Sequence, residues 1–277
     1  MKSSFLFCLL GTLITSSIFG QDYSKLGKLT KKEFNVYYSK GYESKATTIA
    51  NRVHLAYQYY HQLLSFQPDV DVLVLNENDW ARYSNQKLVY GMPHYDDKKT
   101  LIVAAHDNPF WKSFHPERSM EDFFELLALH ELAHAFHMQA AIQLQRKWMA
   151  ELYCNLLLHT YIAEKEPESL PALTTFPKMV IAAGTSEYPY TGLDELENNY
   201  EKIGREFPKN YGWYQSNWHA AAGKFYDEKG PLFAQKIWIA CQQQPNRLAD
   251  PAWKNWLRSN DLLPILKMME SWPDFGP

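Results

Sequence analysis

His130-Glu131-Leu132-Ala133-His134 sets two imidazoles four residues apart, with a carboxylate immediately after the first. On a helix, positions four apart lie one turn above each other on the same face, so both rings can reach one metal ion. The glutamate is offset from that face, where it addresses a water beside the ion rather than the ion itself. Two nitrogen ligands, an open coordination position and a neighbouring carboxylate base are the requirements of a hydrolytic zinc site. The bland reading is a pair of core histidines bonded to backbone carbonyls, and it accounts less well for the charged residue between them.

A three-ligand zinc site needs one more His, Asp or Glu. A closely following histidine is ruled out: in the pattern H-E-x-x-H-x-x-G-x-x-H, the glycine position is His137 and the last histidine position is Ala140. His137 is therefore read as a supporting or packing residue. Glu151, in Trp148-Met149-Ala150-Glu151, is the better third ligand, because an acidic side chain in an apolar stretch is seldom buried without a partner. Sixteen residues lie between His134 and Glu151, enough to finish one helix, turn and return antiparallel. A surface salt bridge on an exposed helix face is the alternative for Glu151.

With these two motifs the chain resembles the gluzincin metallopeptidases, in particular peptidase MA-like domains, over roughly residues 33 to 245. In that group a ligand glutamate follows H-E-x-x-H by some twenty residues, often within W-x-x-E. The resemblance implies one Zn2+ per chain held by His130, His134 and Glu151, with Glu131 as general base. Asn155 falls where a polar residue, more usually Asp, hydrogen-bonds a metal-bound histidine. The segment Tyr211-Gly212-Trp213-Tyr214-Gln215-Ser216-Asn217-Trp218-His219 is similar to a downstream stretch whose tyrosine stabilises the oxyanion. Tyr214 is the expected phenol, with Tyr211 and His219 as alternatives; aligning Gln215-Ser216 strictly puts Trp213 there instead. The implied fold is zincin-like α+β: a small N-terminal mixed sheet with an edge strand beside the active-site helix, then a mainly helical C-terminal lobe. The implied function is a secreted zinc metallopeptidase acting on peptides or proteins. A non-proteolytic zinc-binding scaffold and a zinc hydrolase of non-peptide substrates are the alternatives.

The elements that must position these residues can be read from pattern. Ser119-Met120-Glu121-Asp122 is a capping-box-like start, and no Pro or Gly interrupts residues 119–146, which predicts one long helix about the motif. Ile49, Val53, Ala56, Tyr57, Tyr60 and Leu64 recur at helical intervals over 43–66. Residues 33–39 and 70–75 have strand character, and 76–84 a short helix or turn. Residues 88–95 and 99–105 suggest a hairpin around Asp96-Asp97-Lys98. Tyr90-Gly91-Met92-Pro93 is the candidate edge strand, since Gly permits close approach and Pro belongs at an edge. Residues 164–192, rich in Pro and Gly, predict a long irregular connection. Helices are expected over 212–229, 231–242 and 253–269.

Met1 to Gly20 reads as a charged start, an apolar run and a small-residue exit, a secretory signal peptide. A secreted or periplasmic location follows, with residues 21–277 as a single domain: a sheet lobe about 28–118, the active-site helix about 119–146 and a helical lobe about 147–277. No later stretch is apolar enough to span a membrane, so no stable insertion is expected after cleavage. Cys154 and Cys241 are then the only pair, and whether they bridge is left open. A net charge of -3 gives no basic footprint for nucleic acid, and 46% hydrophobic content suffices for a large core. Oligomeric state is not legible.

Overall fold

The computed structural model describes residues 22–84, 90–96, 99–106 and 121–273. The proposed leader and the Ser119 cap lie outside them. An aliphatic run such as Val72-Leu73-Val74-Leu75 must be covered on both faces, and the strand it forms, β3 (Asp71–Leu75), is central. β2 (Asn35–Tyr38) flanks it in parallel and carries β1 (Gly27–Thr30) antiparallel on its far side. On the other flank β5 (Thr100–Ala104) is parallel to β3, and β4 (His94–Tyr95) pairs antiparallel with β5 at the edge.

Side-chain alternation divides the core. Val72, Val74, Leu101 and Val103 join the main core against α1 (Glu43–Leu64). Leu73, Leu75 and Ile102 face the other way and are covered by Trp80 and Tyr83 of α2 (Glu77–Tyr83) together with Tyr90. After the sheet come α3 (Glu121–Gln139), α4 (Lys147–Lys165), α5 (Leu170–Ala182), α6 (Leu193–Glu206), α7 (Pro208–Lys229), α8 (Phe233–Gln242), α9 (Asp250–Ser259) and α10 (Leu263–Ser271). The architecture is thus α+β, a small mixed sheet followed by helices. Every residue of α4 from Glu151 to Ile162 is buried, because α1, α3, α5, α6, α7 and α8 all pack on it.

Three helix boundaries differ from the pattern reading, each for a local reason. The motif helix stops at Gln139 rather than running to 146. Ala141 takes the left-handed conformation (φ 53°), its N–H donates to Met138 O, and Ile142 N–H donates to His137 O. This is a Schellman end with alanine where glycine is usual, so the sequence carries no stop signal. The expected 253–269 helix breaks the same way into α9 and α10. Asp261 (φ 53°) donates to Arg258 O and Leu262 donates to Leu257 O. Conversely, much of 164–192 is helical, since α5 keeps Pro177 in its interior and buries it with Leu173. Packing of α5 against α7 outweighs the lost backbone bond.

The approach of α4 to α7 depends on Gly223, where a Cβ would stand 3.1 Å from His159 Cε1. Burial lowers the His159 pKa, and Asp227 opposes this only in part. The unfolded chain therefore binds that proton first as pH falls below about 6.5, so stability present above that value is lost beneath it. His159→Gln should lose less stability than the parent between about pH 8 and pH 5.5 in urea titrations. Ala141→Gly should gain about 1 kcal/mol by the same measurement, because it removes the Cβ clash of the left-handed residue.

Candidate metal centre

α3 and α4 run side by side, and the predicted residues meet where they touch. His130 Nε2 lies 3.2 Å from Glu151 Oε2 and 3.2 Å from His134 Nε2, and His134 Nε2 lies 3.5 Å from Glu151 Oε2. Four residues separate the histidines along α3, so their rings stack up one face, 4.9 Å between centroids. Glu151 is buried, which excludes the exposed salt-bridge alternative.

Hydrogen bonds around this triangle determine which atoms point inward. Asn155 Nδ2 donates to Gln215 Oε1 (2.9 Å) and to Glu151 O (3.1 Å), so Asn155 Oδ1 is the acceptor 3.1 Å from His130 Nδ1. His130 therefore carries its proton on Nδ1 and turns the Nε2 lone pair to the centre. His134 Nδ1 lies 2.9 Å from His137 Nε2. Burial, then the neighbouring His134, push the His137 pKa down to about 3, so His137 is neutral and can accept. His137 thus serves as the supporting residue expected of it.

Glu151 is held from the other side by phenols and an amide. Gln215 Nε2 donates to Glu151 Oε2 (2.7 Å) and to Tyr211 Oη (2.8 Å), and Tyr200 Oη donates to Glu151 Oε1. Tyr200 has then spent its proton, so the 3.3 Å contact with Tyr211 is a donation from Tyr211. Burial, then the Glu151 charge, keep both phenols protonated by raising their pKa well above 10. Burial alone would raise the Glu151 carboxyl, but His134 and His130 hold it well below the usual carboxylate range. For His134, attraction to Cys154 and Glu151 overrides the lowering effect of burial and raises its pKa.

Three inward-facing acceptors within 3.5 Å repel one another unless positive charge sits between them. A proton on His134 supplies it in the bare chain; a metal ion is the other solution. Tetrahedral donors at zinc distances of about 2.0–2.2 Å stand about 3.3–3.6 Å apart, close to the separations found here. The donor set therefore fits zinc. His130, His134 and Cys154 also form a group whose ligand atoms all lie within 4.8 Å of one another. Glu151 is the closer oxygen donor by measured distance. Cys154 was read from sequence only as a packed or bridging cysteine; with Cys241 it is buried and free.

Glu131 points toward the sheet edge, its Oε2 accepting the Tyr95 backbone N–H at 3.0 Å. The edge strand is thus His94–Tyr95, and the expectation of Tyr90–Pro93 is corrected. Tyr90 is buried on the far face of the sheet, its hydroxyl donating to Leu75 O and His106 O at 3.3 Å each. Tyr214 is also corrected. It is fully buried and stacked on Trp218 and Trp272, and its hydroxyl donates to Gly192 O at 2.8 Å. Gln215 lies four residues on from Tyr211 and shares its face, whereas Tyr214 is turned by about 100° from Gln215 around α7. Tyr200, from α6, was missed altogether; nothing in its local sequence marks it. His219 continues the Tyr211–Gln215 face and packs on Phe123. Burial, then His130, hold it neutral.

No family model matches this chain, and no curated protein matches it in sequence.

The two tyrosines separate experimentally. Tyr200→Phe should weaken zinc affinity by about 10–100-fold, measured by competition with a chromophoric chelator, because it frees Glu151 Oε1. Tyr214→Phe should leave zinc affinity unchanged while lowering unfolding free energy by about 1 kcal/mol.

Proposed function

We propose that this chain is an exported, zinc-dependent peptidase of gluzincin type, with His130, His134 and Glu151 as the metal ligands. The observation that carries this reading is the convergence of three lone pairs at one point, with Glu131 one residue from the first ligand and turned to the edge strand. The antiparallel edge strand beside the motif helix supports a zincin-like arrangement.

Zinc held there would supply Lewis acidity, making a water more acidic and a carbonyl more electrophilic. Glu131 accepts a proton from the attacking water and delivers it to the departing amine as the C–N bond breaks. The Tyr95 N–H holds that carboxylate in position until it acts. Tyr211 gives its one proton to Tyr200 and accepts from Gln215, so it braces the hydrogen bonds on Glu151, and stabilising the oxygen that gains charge would fall to zinc. Gln215 and Tyr200 keep Glu151 oriented and leave it no part in proton transfer.

β4 supports a peptide as substrate. Asp96 N–H bonds inward to Thr100 O, so by alternation the Tyr95 N–H and C=O face outward. A peptide laid along this edge can donate to the carbonyls of Pro93 and Tyr95, a recognition mode that asks little of its side chains.

Glu131→Gln should retain stoichiometric zinc and lose about 10²–10⁴-fold in cleavage of a mixed peptide library. Undiminished turnover in that variant would reject Glu131 as the base. A zinc-replete parent protein inert toward every peptide would favour the scaffold reading instead.

A further inference from the structure

We propose that Met138 determines specificity, forming an apolar subsite for the second residue on the amino side of the bond to be cleaved. The proposal rests on the peptidase reading and goes further by naming the class of peptide taken.

Most side chains of α3 are buried against the core. Of those that reach solvent, Glu125 is engaged by Lys45 and Arg52, and Gln139 by Asp69 and Tyr95. The remaining described residues of the helix that reach solvent form one line, Leu127, Glu131, His134 and Met138, at spacings of four, three and four. Such spacings keep residues on one face, so Met138 lies one turn beyond His134, in line with the ligand and the base. His134 keeps 14% of its side chain exposed, and Met138 is 53% exposed. An isolated exposed methionine needs no explanation, but one in this line is the floor beneath anything that reaches the metal.

β4 gives the direction. The Tyr95 N–H meets Glu131 at 3.0 Å, while Gln139 accepts the Asp69 N–H (2.9 Å) and donates to Tyr95 Oη (2.7 Å). Asp71 N–H donates to Lys99 O, and Lys99 N–H to Asp96 O, at 3.1 Å each. The turn closing β4 therefore lies at the C-terminal end of α3, and strand and helix run the same way. A peptide added antiparallel to β4, the more stable pairing, then lays its amino-terminal half over Met138. Met138 stands about 6 Å beyond His134 along the helix axis, a distance that an extended peptide covers in about two residues. Methionine is unbranched and adapts to different apolar shapes, so large apolar side chains are favoured as a class.

The test is sequencing of the products after the zinc-loaded full chain has digested a mixed peptide library. The parent should favour Leu, Met or Phe over Asp at the second position before the cleaved bond, by about tenfold in kcat/KM. Met138→Lys should abolish that preference and raise cleavage of peptides with Asp or Glu there, acting through KM more than kcat. Met138→Ser, a milder change, should lower the preference without the acidic gain. Leu232→Lys, which charges an exposed leucine outside α3, should leave the preference as it is. No preference at that position, or one that both Met138 variants retain, would overturn the subsite and leave the peptidase reading standing. A zinc-replete parent that cleaves no peptide would overturn both.

Discussion

Like charges and lone pairs cannot be packed together in a dry interior without something positive between them, and the α3–α4 contact is built around that constraint. Two imidazoles and a carboxylate are held 3.2–3.5 Å apart beside the main core. Burying such groups uncompensated costs several kcal/mol, a large fraction of ordinary protein stability. The surrounding fold is therefore committed to supplying positive charge, and α4, which carries Glu151, is buried without a break from Glu151 to Ile162.

The supporting hydrogen bonds all run toward that point. Asn155 from α4 accepts from His130, Gln215 from α7 and Tyr200 from α6 donate to the two oxygens of Glu151, and Tyr211 braces both of those donors. Because Glu151 accepts on both oxygens, its rotamer is determined by three helices at once. Orientation of a ligand by partners of this kind tunes the metal as much as the ligand itself does.

The His130–His134–Glu151 cluster was legible because its constraint is local: a spacing of four on one helix, and an acid where only apolar residues belong. Tyr200 was not, since its place at Glu151 depends on how α6 lies across α4, which no periodicity encodes. Tyr214 was misjudged through helical phase, one residue's rotation deciding between Glu151 and the Trp218–Trp272 stack. In the fold, α1 and β3 follow their patterns closely. The α3 terminus does not, because Ala141 and Asp261 occupy left-handed positions that a reader assigns to glycine. Pro177 misleads in the opposite sense, its helix surviving because α7 packs on it.

The exposed border of the sheet carries a further constraint. An unpaired strand invites a second molecule to continue the ladder, which is a common route to aggregation. Along β4 and the residue before it, Pro93 has no N–H to give and the Tyr95 N–H is engaged by Glu131. Among the described residues of this border the outward groups are carbonyl oxygens, so a neighbouring copy, whose own ladder needs donors and acceptors in alternation, finds only half a partner. The glutamate thereby withholds the one backbone donor that Tyr95 would offer a strand added along β4.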